Sequence, residues 1–115
     1  MKKAITSALV CYFVVLASPA WAHPPSDIII TFDKATKHLH AVIKHNVSNV
    51  NNHYIKKVDV GLNDKEILTQ YISRQDNNVS QTVDYLIPDA KTGDTISVEG
   101  YCSISGKLEK EIKVK

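Results

Sequence analysis

The stretch Thr95-Ile96-Ser97-Val98-Glu99-Gly100-Tyr101-Cys102-Ser103-Ile104-Ser105-Gly106-Lys107-Leu108-Glu109-Lys110-Glu111-Ile112-Lys113-Val114 decides the fold. Two β-branched runs flank a short turn rich in Ser and Gly, which is the pattern of a hairpin. In the second run Leu108, Ile112 and Val114 share one parity and Lys107, Glu109, Glu111 and Lys113 the other. Successive side chains of a strand point to opposite faces, so one face is buried and one is wet. Lys110 alone breaks the apolar set. In the first run the inward set is Ile96, Val98, Gly100 and Cys102.

Working outward, similar runs recur between clusters of Asn, Asp, Gly, Ser and Pro. The pattern predicts seven strands, at about 28–32, 38–44, 54–61, 66–72, 81–87, 95–102 and 107–114. Asp33 to Lys37, Leu62 to Lys65 and Ser103 to Gly106 are short enough for hairpin turns, and 88–94 has the chemistry of a connecting turn. Lys56-Lys57 interrupts the alternation of Ile55, Val58 and Val60, which predicts a β-bulge. No segment carries the 3.6-residue period of a helix. The expected class is an all-β sandwich.

The first 22 residues read as an export leader. Lys2 and Lys3 precede an apolar run from Ala8 to Ala17, and Ala20-Trp21-Ala22 forms an A-x-A site, so cleavage is expected after Ala22. This predicts a periplasmic location and a single domain over 23–115. The apolar run falls short of the roughly 20 residues needed to span a bilayer. Lys2 and Lys3 also account for the whole formal charge of +2, leaving 23–115 neutral. A neutral domain without a basic cluster lacks the footprint of a nucleic-acid or membrane-surface binder. Cys11 falls in the leader, so Cys102 is left without an internal disulfide partner.

That lone thiol has two readings. Free cysteine commonly just fills a core, and parity points Cys102 inward. It also makes a soft metal ligand when imidazoles converge on it. All five histidines lie early in the predicted domain, at His23, His38, His40, His45 and His53. His38 and His40, two apart on one strand, are expected to share a solvent-facing side, with Leu39 and Ala41-Val42-Ile43 taking up the core. His45 and His53 end and begin predicted strands, and the loop between them can turn both rings toward one point. His23 would be the first residue after cleavage. A terminal α-amine and imidazole together make a copper chelate, so copper is an alternative metal.

The segments His45-Asn46-Val47 and Asn52-His53-Tyr54-Ile55-Lys56-Lys57-Val58 resemble the superoxide reductase family (desulfoferrodoxin and neelaredoxin), in which a His-Pro-Met segment leads to a His-Tyr-Ile strand. Tyr101-Cys102-Ser103-Ile104-Ser105-Gly106 is similar to that family's Cys-Asn-x-His-Gly closing motif, and the resemblance covers 23–115. It implies a seven-stranded immunoglobulin-like β-sandwich and a non-haem iron site of four histidines and one cysteine, which reduces superoxide with an electron from a separate donor. Carried over, Cys102 matches the axial sulfur and His45 and His53 match two nitrogens. His23, in His23-Pro24-Pro25, takes the position of a third. Ser105 stands where the family has the fourth histidine, Ser103 replaces the Asn, and the His45–His53 loop is two residues longer.

A second resemblance runs from His53-Tyr54-Ile55 through Asn63 and 90–98 to Gly106. It is to the non-catalytic subunit of the sulfur-compound carrier complex of thiosulfate oxidation, and it implies a metal-free, partner-binding sandwich. No nucleophile elbow or glycine-rich phosphate loop is present.

Overall fold

A computed structural model describes residues 23–115; the expected leader lies outside them. Seven antiparallel strands form two sheets: β1 (Asp27–Asp33), β2 (His38–Lys44), β3 (Ile55–Leu62), β4 (Lys65–Tyr71), β5 (Ser80–Leu86), β6 (Thr95–Cys102) and β7 (Lys107–Lys113). One sheet has the order β1-β2-β5 and the other β4-β3-β6-β7, an arrangement like a β-sandwich. The expected β2 and β6 match residue for residue, as does the start of β7, and the remaining ends differ by one.

Alternation builds the core. β6 is buried at Ile96, Val98, Gly100 and Cys102 and half-buried between, as the parity of its sequence demands. Leu39, Ala41 and Ile43 of β2 face it from the other sheet, and Ile55, Val58 and Val60 of the neighbouring β3 join the same core. Val42 does not join them. Its parity turns it to the outer face, where it is half-buried, so the continuous run of three expected in the core reduces to Ala41 and Ile43. Lys110, the parity exception of β7, reaches Asp27 of β1 at 3.5 Å from the open edge. A charge of inward parity is tolerable there because β7 ends its sheet.

The turns follow local chemistry. Asn63 and Asp64 both hold positive φ, 52° and 67°, the geometry that a two-residue hairpin requires between β3 and β4. The expected bulge at Lys56 is present as a register shift between Ile55 and Lys57 against β6. A second shift, at Val60/Gly61 against β4, was not legible in the pattern.

Candidate metal centre

At one end of the sandwich, chain segments from both sheets converge. His45 directly follows β2, His53 lies two residues before β3, Cys102 ends β6, and His23 lies four residues before β1. Backbone bonds fix the approach of the first two. The His45 amide donates to the Val79 carbonyl (2.9 Å), and the His53 amide to the Asn49 carbonyl (3.0 Å), which closes the 46–52 loop on itself. The ladder between β3 and β6 extends past both strands. Ser103 N–H donates to the Tyr54 carbonyl (2.8 Å), and Tyr54 N–H donates to Ser103 Oγ (3.1 Å). This clamp sets His53 beside Cys102.

The three rings make a near-equilateral group, with centroid separations of 4.8 Å for His23–His45, 4.9 Å for His23–His53 and 4.7 Å for His45–His53. One ring nitrogen from each lies within 4.8 Å of the others. Metal–imidazole bonds of about 2.1 Å place ligand nitrogens roughly 3–4 Å apart, so small ring rotations suffice for all three to hold one ion. Cys102 Sγ lies 3.2 Å from His53 Nε2 and accepts from the Ile104 N–H at 3.4 Å. Cys102 is buried at the end of an inward-facing row, and its sulfur contacts one ring of the histidine cluster, that of His53.

Gln75 settles the tautomer of His45, and both are about 1% exposed. The Gln75 Nε2 donates to the carbonyls of His45 (2.8 Å) and Asn77 (2.9 Å). Its Oε1 is therefore the atom facing His45 Nδ1 at 2.9 Å, and Nδ1–H is the donor. The neutral ring then carries its lone pair on Nε2, which faces the His23 carbonyl oxygen at 3.2 Å. In that neutral form two acceptors meet in a partly buried place, an arrangement that a cation at Nε2, a metal ion or a proton, relieves. The donor set of three imidazoles and a thiol suits a borderline transition ion such as iron, zinc or copper.

His23 is oriented differently. Its Nε2–H donates to the Asn46 carbonyl at 2.9 Å, and Nδ1 lies 3.1 Å from the Pro24 carbonyl. The pKa of His53 is lowered, first by burial and then by the neighbouring His45 and His23, which keeps its ring neutral and available as a ligand.

His38 and His40 lie outside this cluster, on the outer face of β2, half-exposed as expected. Ser105 is exposed in the β6–β7 turn. Sequence reasoning missed Gln75, because a single Gln in the polar 73–80 loop carries no spacing that marks it as the partner of a histidine 30 residues away. Set against family models, curated proteins and solved structures, the chain matches none.

Proposed function

We propose that 23–115 is an exported immunoglobulin-like domain of the superoxide reductase type, holding one iron ion through His23, His45, His53 and Cys102 and reducing superoxide to peroxide. One observation carries this reading: a buried thiol sulfur stands 3.2 Å from Nε2 of His53, one of three imidazoles that converge. The strand orders β1-β2-β5 and β4-β3-β6-β7 support the immunoglobulin-like comparison. An iron(II) ion held there would supply the one electron that, with two protons, converts superoxide to hydrogen peroxide, and an external donor would restore it. The chain's own part is to hold and to orient. Cys102 contributes a sulfur that donates electron density to the site, Gln75 fixes His45 with Nε2 inward, and burial keeps His53 neutral. Ser105, exposed in the turn, supplies no imidazole.

The test is metal analysis and visible spectroscopy of the mature protein, with superoxide consumption measured beside it. A thiolate-to-iron band that vanishes in Cys102→Ser, with loss of turnover, supports the reading. A protein that stays metal-free and indifferent to added iron(II) sinks it, and leaves the metal-free partner-binding sandwich.

A copper reading is favoured by one detail of His23. With Nε2–H bonded to Asn46, the nitrogen left for a metal is Nδ1, the atom that closes a chelate ring with the α-amine of the same residue. Copper affinity that collapses when one extra residue precedes His23 would select this reading over iron.

A further inference from the structure

The outer face of the three-stranded sheet carries a second group of ligands that the site above does not use. β2 alternation sends His38 and His40 to the same outward side, and the register sets His40 directly opposite Asp84 of β5. Both rings turn to one carboxylate oxygen. Asp84 Oδ1 lies 3.0 Å from His38 Nε2 and 2.7 Å from His40 Nδ1, with ring centroids 6.5 Å apart. We infer that His38, His40 and Asp84 form a second metal site, open to solvent, for a borderline divalent ion of the zinc, nickel or copper class.

The chemistry of the three atoms is that of such a site: two imidazole nitrogens and one carboxylate oxygen. Ligands on one ion with bonds of about 2.0–2.2 Å sit roughly 3–3.5 Å apart; both N···O spacings are close to this, while the two rings, with centroids 6.5 Å apart, must turn toward each other to bring both nitrogens onto one ion. Pairing within a sheet fixes the three Cα positions, which removes much of the ordering that a loop site would require. The neighbours do not compete. On the β1 side, Thr31 and Asp33 lie opposite His40 and His38, and Asp33 Oδ1 accepts from the Ala35 and Thr36 amides of its own turn. Lys37 directs its ammonium away, to the Ala90 carbonyl. Side-chain exposures of 44%, 43% and 49% leave the remaining coordination positions to water. Five residues along a strand span roughly 17 Å, so His40 and His45 cannot share an ion. The alternative is a surface hydrogen-bonded cluster with no ligand, which as a pair interaction is worth little.

The experiment is a Zn²⁺ titration of the mature protein with ¹⁵N-labelled histidine, following each imidazole nitrogen. Zn²⁺ beyond what the His23–His45–His53 cluster takes up is expected to move His38 Nε2 and His40 Nδ1 together. The apparent affinity at these two signals should fall at least tenfold in Asp84→Asn and vanish in His40→Gln, while His45 and His53 respond in both variants as in the wild type. All three side chains are half-exposed, so backbone amide spectra should show both variants folded. The inference is overturned if His38 and His40 keep their zinc-free shifts in a large excess of Zn²⁺. It is equally overturned if their response is unchanged in Asp84→Asn and His40→Gln. Neither outcome depends on which metal, if any, occupies the His23–His45–His53 cluster.

Discussion

His53 Nε2 lies 3.2 Å from Cys102 Sγ, although 49 residues separate the two in sequence. If both are ligands of one ion, removing either should weaken binding, and removing both should cost less than the sum, because neighbours in one site are not additive. Cobalt(II) as a spectroscopic probe makes this measurable. Cys102→Ala is expected to abolish the sulfur-to-cobalt band and lower affinity at least tenfold. His53→Ala should lower affinity similarly while keeping a shifted band. Additive losses would mean that the two contact each other without sharing a metal.

Gln75 touches no metal in any reading, yet it determines which nitrogen of His45 faces the cluster. Groups that orient a ligating histidine typically contribute about 10–100-fold in metal affinity. Gln75→Leu should therefore lose affinity in that range. It should also cost about 1–3 kcal/mol of stability, since the His45 Nδ1–H and the His45 carbonyl lose their buried partner. Gln75→Glu separates the two effects: the acceptor for Nδ1–H is retained and the donors to the His45 and Asn77 carbonyls are not. Affinity is expected to recover in the Glu variant more than stability does, read by metal competition and urea unfolding.

Much of the sandwich was legible because period-two alternation is strict where one face is buried, as in Ile96, Val98 and Cys102, and because Asn63-Asp64 is strong hairpin chemistry. What escaped were contacts between elements remote in sequence. Parity placed His38 and His40 outward, but only the pairing of β2 with β5 shows that Asp84 lies opposite His40. Cys102 likewise had an inward direction from parity, while its neighbour His53 depended on how an irregular seven-residue loop closes. That loop is held by the Val47 amide on the Asn78 carbonyl and the Gln75 amide on the Val50 carbonyl, bonds with no pattern in the sequence.

Asp94 gives a pH dependence of known sign. Its carboxyl is held below the usual carboxylate range, first by the Asn63 side-chain amide at 3.0 Å and then by the Lys91 backbone amide at 3.0 Å. A carboxyl with a depressed folded pKa binds its proton later than the unfolded chain does. Its contribution is thus complete above the unfolded value of about 3.9 and is lost as pH falls through the folded value. Unfolding in urea should show stability declining below about pH 4, and a ¹³C carboxyl titration should place the Asp94 midpoint below that of a free Asp. Asn63→Gly keeps a residue that tolerates positive φ and removes the amide. The Asp94 midpoint should rise in that variant and the acid-side decline should shrink.

Gly93 and Gly106 have nearly the same backbone, with φ of 94° and 93°, and quite different surroundings. A Cβ added at Gly93 meets nothing within 4 Å, whereas one at Gly106 falls 2.9 Å from Pro24 N and 3.0 Å from Pro24 Cα. Alanine at either position carries the penalty of a left-handed conformation, about 1–2 kcal/mol. Only at Gly106 must something else move, and the atoms in the way are the backbone and Cβ of Pro24, one residue from His23. The Gly106 carbonyl also accepts from the Cys102 amide at 2.9 Å, so the turn that would shift is the one carrying the sulfur. Gly93→Ala is therefore expected to lower the unfolding free energy by that amount and leave metal affinity unchanged. Gly106→Ala should cost more stability and lower metal affinity at least tenfold, because displacing Pro24 or the turn pulls His23 away from the His45 and His53 rings. Equal affinities in the two variants, measured by competition with a chelator, would show that the N-terminal segment does not contribute a ligand.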